Sequence, residues 1–197
     1  LDSEPPWQLP VFTEPGLPGF LVGVPAGDSV WVWVEHSSKD LSGWFPFGEL
    51  PAGSAGSSPP IDGLVFLRAS ARMVALRGGK LFVRAWPLGA TWNEVVLTFG
   101  GNPVTLDVIA PIFSPAVDGL TTEAGFLAIS AGGRLLNVTL ATSTTGTGTE
   151  VFAGRKFSAA APVGFVHPVS GLTVVAALDV SPPKLIAKNA GAPVEFA

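Results

Sequence analysis

His36 and His167 are the only histidines in a chain of 197 residues, so any imidazole base would have to be one of them. His36 ends the run SVWVWVEH beside Glu35 and precedes the polar turn SSKD, while His167 lies in GFVHPVS just before Pro168. Neither sits in a motif that poises an imidazole against a serine, and both read as turn residues. Two histidines without any cysteine cannot form a three-histidine site, a thiolate nucleophile or a cysteine-based metal site. A carboxylate pair for glycoside hydrolysis need not be close in sequence, and Asp28, Asp62, Asp118, Glu94 and Glu150 all fall at or near turns. Asp62 and Asp118 each precede a glycine, where an Asx turn accounts for them. Glu94 and Glu150 hold matching places in a repeat, which suits a structural role better than a unique catalytic one. There is no EF-hand pattern, and the paired glycines lead into strand-like runs instead of helices, so calcium and phosphate loops are absent too. The NVT triplet at Asn137 falls inside a predicted strand. No catalytic residue, metal ligand or cofactor site is assigned, and the chain is read as a non-enzyme.

Charge and aromatic residues offer more. Arg68, Arg72, Arg77, Lys80 and Arg84 place five cations and no acid within 68–84, in a chain of net charge −4. With Phe66, Phe82 and Trp86 close by, they could line a surface for a sulfated glycan or an acidic partner chain, provided strand alternation does not scatter them. The acidic balance disfavours nucleic acid. Trp31 and Trp33 share one strand face, as a platform or as core wall. Trp44, Phe45 and Phe47 lie in the Pro/Gly-rich stretch GWFPFGEL, where aromatic side chains often anchor interfaces. The candidate partner-binding residues are therefore Trp44, Phe45, Phe47, Arg68, Arg72, Arg77, Lys80 and Arg84.

The elements that must carry these residues are strands. Hydrophobic residues make up 47% of the chain and charged ones 13%, with 24 Gly and 19 Pro, a balance met by many short strands joined by turns. No apolar run reaches the ~18 residues of a membrane span. The chain opens on Leu1, which suggests a processed form or an excerpt. SVWVWVEH, RMVAL, KLFVRAW, NEVVLTF, VTLDVIA, GFLAIS, RLLNVTL, TEVFAG and LTVVAALDV are rich in β-branched and aromatic residues. Several are continuous apolar runs, the signature of strands covered on both faces. PAGSAGSSPP (51–60) reads as a flexible connector and ATSTTGTGTE (141–150) as an exposed tip.

A repeat runs through this pattern. RGGKLFVRAW and AGGRLLNVTL share a paired glycine, a cation and a strand, with Gly79 and Gly133 standing 54 residues apart and Asp62 and Asp118 standing 56 apart. Hairpin glycines at Gly27, Gly79, Gly133 and Gly171 extend it to about four units, at intervals of 52, 54 and 38. In unit length and strand–glycine–strand rhythm the chain resembles a small β-propeller, without a Trp-Asp dipeptide, kelch pair or Asp box. The resemblance implies radially stacked antiparallel sheets, with LPVFTE and PVEFA pairing to close the ring. A β-sandwich or two small β-domains are the alternatives. The expected organisation is one all-β domain over 1–197, with a possible boundary at 51–60 dividing 1–50 from 61–197.

These features predict a non-catalytic structural subunit of an extracellular or viral assembly, such as a phage tail or capsid accessory protein or a surface filament. Its partners would be other protein subunits, itself included. The alternative is a lectin-like carbohydrate-binding module.

Overall fold

The computed structural model describes residues 20–35, 43–51, 59–67, 70–85, 91–114, 121–166, 173–180, 183–189 and 194–196. They form sixteen strands and no α-helix, so the chain is all-β. Consecutive strands pair antiparallel into four up-and-down sheets. The first holds β1 (Phe20–Ala26), β2 (Ser29–Glu35) and β3 (Gly43–Glu49). The second holds β4 (Ile61–Leu67), β5 (Arg72–Arg77), β6 (Lys80–Ala85) and β7 (Asn93–Phe99), with the two-residue β8 (Asn102–Pro103) folding back on β7. The third holds β9 (Leu106–Ser114), β10 (Thr121–Ser130), β11 (Leu135–Leu140) and β12 (Thr145–Glu150). The fourth holds β13 (Val163–Val166), β14 (Thr173–Val180), β15 (Pro183–Asn189) and β16 (Val194–Phe196). Short parallel pairings join β7 to β12 and β9 to β13.

The continuous apolar runs are explained by where alternate residues go. In β5, Met73 and Ala75 enter the layer between the first and second sheets, while Val74 and Leu76 enter the layer between the second and third. In β10, Phe126 and Ala128 face the second sheet and Leu127 and Ile129 face the fourth. A strand covered on both faces needs apolar residues at every position, so these runs lose the period-two pattern. Three apolar layers thus bind four sheets in sequence. The first strands also touch in turn, β1 to β4, β4 to β9 and β9 to β13, while the second and third sheets meet again along their last strands, β7 and β12.

The ring expected from the propeller resemblance is not closed. Among the described residues no strand of the first sheet pairs with the fourth, and β16 pairs with β15 alone; residues 9–14 lie outside the described residues. Gly79 and Gly133 join the second and third strands of their sheets, whereas Gly27 joins β1 to β2. His36, His167, Gly171, Asp118, Arg68, Trp86 and residues 52–58 lie outside the described residues as well.

Residues 141–150 are not simply a tip, because β12 occupies Thr145–Glu150, and TEVFAG turns away after Glu150. The period-two signal was present but written in glycine. Gly146 and Gly148 face inward, where a Cβ would stand 3.1 Å from Leu140 Cδ2 and 3.0 Å from Leu136 Cδ1, and the threonines face out. GWFPFGE is likewise a strand, with Phe45 and Phe47 pointing in and Trp44 and Pro46 pointing out. Pro46 is tolerated there because β3 is an edge strand.

Candidate functional site

The fourth sheet has a packed face and an outer face, and their polarity is inverted. Val175, Ala177 and Ile186 fill the layer against the third sheet. Alternation therefore turns Val174, Ala176, Leu178 and Val180 outward. Register places Val163 and Phe165 beside Ala176 and Val174, Leu185 and Ala187 beside Leu178 and Ala176, and Val194 beside Ala187. Phe113 joins them through its pairing with Phe165. Among the described residues nine large apolar side chains are exposed, and seven are on this face: Phe113, Val163, Phe165, Leu178, Val180, Leu185 and Val194, each 40–56% exposed. Scattered apolar exposure is ordinary on proteins, but a contiguous face of this kind is not.

The sheet's charges point the other way. Asp179 is 5% exposed and accepts from Arg155 Nη1 at 3.0 Å; Glu195 accepts from Arg155 Nη2 at 2.6 Å. Lys188 donates to the Val151 carbonyl at 3.0 Å and lies 6.0 Å from the Phe152 ring centroid. Hydrogen bonds to Glu195 and then Asp179 raise the Arg155 guanidinium above its ordinary pKa. These groups latch the 151–158 segment onto the packed side, and Ser158 N–H and Val180 N–H complete the join with bonds to Leu178 O and Lys156 O. Among the outer-face residues whose side chains are described, none is charged or polar.

At the opposite end of the stack, the first sheet turns Val30, Val32, Phe45 and Phe47 inward and Trp31, Trp33, Trp44 and Pro46 outward. Trp33 and Trp44 meet edge to face, centroids 5.6 Å apart. Glu49, paired with Ser29, sits at the rim.

The sequence-derived candidates divide accordingly. Trp44 is 43% exposed on an end face, whereas Phe45 and Phe47 are core, Phe47 packing edge-on to Trp92 at 5.6 Å. The cations do not share one face. Arg77 is 3% exposed and bonds Asp28 and the Pro59 and Pro51 carbonyls; Lys80 pairs with Glu94 at 2.9 Å; Arg72 reaches Thr142 O at 3.2 Å. Arg84 bonds Phe47 O and lies 4.7 Å from the Phe47 ring centroid, its pKa lowered by burial. Four cations thus serve four separate contacts, and Arg68 lies outside the described residues. The acids weighed for catalysis are tied up similarly, with Asp62 accepting from Gly78 N–H at 3.2 Å and Glu150 pairing with Arg134 at 3.5 Å. Among the described residues no three His, Asp or Glu side chains cluster to hold a metal ion, and no helix is long and apolar enough to cross a membrane.

Sequence reading missed the fourth-sheet face. LTVVAALDV reads as a strand covered on both sides, and the fold covers one.

No family model matches the chain, and no curated protein sequence matches it. Among solved structures it is similar to BBS1N, from the crystal structure of BBS1N in complex with ARL6DN, soaked with mercury. Identity is 8% and the TM-score 0.49, over 89% of this chain and 47% of that one, so the chain spans about half the length of that neighbour.

Proposed function

We propose that the chain is a non-catalytic β module that works by docking, as a protein subunit of an extracellular or viral assembly. The observation supporting this is the uncharged, apolar outer face of the fourth sheet. Full burial of a Val, Leu or Phe side chain is worth about 1.5–3 kcal/mol. At the exposures found, about half of that is unrealised, so the seven side chains hold roughly 5–10 kcal/mol. Association costs about 4–15 kcal/mol in lost rigid-body freedom. This face alone therefore supports weak docking, and a lasting assembly requires a second contact. The extracellular or viral setting is inferred from low charge with high apolar content and from the Pro-rich segments SEPPWQLP and AGAPVEFA, suited to lying along a neighbouring chain.

Docking is tested by sedimentation velocity together with binding of a hydrophobic dye, comparing the wild type with L178K/L185K. The reading expects self-association or dye binding, lost in the variant while far-UV circular dichroism is kept. A wild-type monomer that binds no dye refutes it. A lectin role is the second reading, supported by the outward Trp33–Trp44 pair. It expects glycan-array binding that Trp44→Ala abolishes, and an array without signal removes it.

A further inference from the structure

We infer that Asn137 is an N-glycan attachment site, on a part of the third sheet that the fourth leaves open. This rests on the extracellular setting proposed above and adds a covalent sugar to it. Asn137, Val138 and Thr139 form the only Asn-X-Ser/Thr triplet in the chain, the pattern that an oligosaccharide transferase reads. Such triplets are ordinarily surface loops, and this one lies inside β11. What decides is where that strand turns its side chains.

Alternation separates the triplet. Val138 is fully buried in the layer between the second and third sheets, with Leu136 on the same face. Leu135, Asn137 and Thr139 point the other way. Leu135 is covered by the layer against the fourth sheet, but the cover ends there, and Asn137 and Thr139 are exposed. Two strand rises of ~3.3 Å set their Cα atoms about 7 Å apart on one side of an extended backbone. The acceptor amide and the hydroxyl that identifies it are therefore offered together.

The acceptor is also free and has room. Among the described residues no hydrogen bond holds the Asn137 amide or the Thr139 hydroxyl. In the adjoining turn, by contrast, Thr142 Oγ1 lies 2.8 Å from Thr145 Oγ1 and accepts from Thr144 N–H at 3.1 Å. On one side β12 sets exposed Thr149 beside Asn137 and exposed Thr147 beside Thr139. On the other, β10 sets buried Leu127 beside Asn137 and Gly125 beside Thr139. A Cβ on Gly125 would stand 3.3 Å from Asn137 Oδ1, so glycine keeps a side chain out of the space next to the amide. The flanking threonines are short and uncharged, and a first sugar can rest on them without displacing an ion pair.

Attachment forms one bond and breaks one. Asn137 Nδ2 bonds to the anomeric carbon of an oligosaccharide carried on a polyprenyl pyrophosphate, and the bond from that carbon to the pyrophosphate oxygen breaks. The pyrophosphate leaves with the bonding electrons, Nδ2 releases one of its two protons, and nothing is oxidised or reduced. Asn137 is on the third-sheet face that meets the packed side of the fourth sheet. The sugar would thus leave the fourth sheet's outer face clear for docking.

The test expresses the whole chain behind an added secretion leader in mammalian cells and reads intact mass before and after peptide N-glycosidase, in medium and in cell lysate. Wild type is expected to carry one oligosaccharide, lost on digestion and mapped to position 137. Asn137→Gln and Thr139→Ala should carry none, and Thr139→Ser, which restores the hydroxyl, should carry it again. Glycosylated and digested wild type should melt within about 2 °C of each other. Wild type unmodified in both fractions overturns the site, as does a Thr139→Ala chain that is still modified. A glycosylated form that aggregates in the cells while Asn137→Gln is secreted overturns it too, because the folded face then has no room. The added leader takes the setting out of the test, and docking is read separately by sedimentation and dye binding. A glycosylated chain that neither associates nor binds dye overturns docking and leaves the site, whereas an unmodified chain that docks does the reverse.

Discussion

Asp28→Ala should destabilise the protein more than Arg77→Met, although Arg77 is the buried partner of the pair. The Arg77 side chain is 3% exposed and that of Asp28 is 54% exposed. Arg77 Nε donates to Pro59 O at 2.7 Å, Nη1 reaches Pro51 O at 3.5 Å, and Nη2 meets the Asp28 carboxylate. Removing Asp28 strands a desolvated guanidinium. Losing one partner of a buried pair costs about 3–5 kcal/mol, but here two carbonyls still accept and Asp28 is half solvated, which brings the expectation to about 2 kcal/mol. Arg77→Met keeps the buried stem and removes the buried charge. Asp28 then returns to water, and the exposed Pro51 and Pro59 can be hydrated, so the cost falls to about 1 kcal/mol. For a chain of this length these values are melting-temperature drops of about 4–8 °C and 2–4 °C. Thermal unfolding followed by tryptophan fluorescence would measure both, together with the double variant, which should resemble Arg77→Met alone. The reasoning is refuted if Arg77→Met is the more damaging change, or if the double variant's loss equals the two single losses added.

Gly125→Ala would set a Cβ 2.8 Å from the Val138 carbonyl oxygen, a backbone atom that cannot step aside, and should cost about 1–3 kcal/mol by urea unfolding. Gly164→Ala meets the flexible end of Leu127 at 2.9 Å and should cost less in the same assay. Phe126→Ala, in the layer between the second and third sheets, should cost about 3–5 kcal/mol, whereas Lys80→Ala, breaking an exposed pair with Glu94, should stay within about 0.5 kcal/mol. Trp92→Phe should cost under about 1.5 kcal/mol, because it removes an indole N–H that is buried without a hydrogen-bond partner; a larger loss in thermal unfolding would mean that the indole ring itself holds the layer.

How much of this could be read from residues alone depended on whether a signal was local. β-branched and aromatic runs mark strands, and β2, β5, β6, β7, β9, β10, β11 and β14 lie within or across the runs that predicted them. β12 was hidden because its inward positions are glycine, chosen for close approach to Leu136 and Leu140 instead of for hydrophobicity. The cation run of 68–84 is a cluster in sequence only. β5 carries Arg72 and Arg77 at its two ends, β6 carries Lys80 and Arg84 four residues apart, and each finds its own partner. Trp44, Phe45 and Phe47 could be picked out as aromatic residues in a Pro/Gly-rich stretch, but which of the three faced out depended on which side the second sheet packed.

The fourth-sheet face could not be read at all, and the reason bears on function. A strand such as β14 has the same apolar composition whether both its sides are covered by its own chain or one waits for another. What separates the cases is where the charges go. Were the outer side meant for water, Asp179, Lys188 and Glu195 would be the residues to place there. Instead they turn inward, holding Arg155, Val151 and the segment between the third and fourth sheets. That allocation leaves seven exposed Val, Leu and Phe side chains with no polar neighbour on their own face among the side chains described. A sheet with its charges on the packed side and aliphatic residues on the free side is the arrangement from which the docking proposal is drawn. Among the described carboxylates that fall at turns, Asp28, Glu94 and Glu150 hold cations and Asp62 a backbone amide, so none of these four contributes to that face.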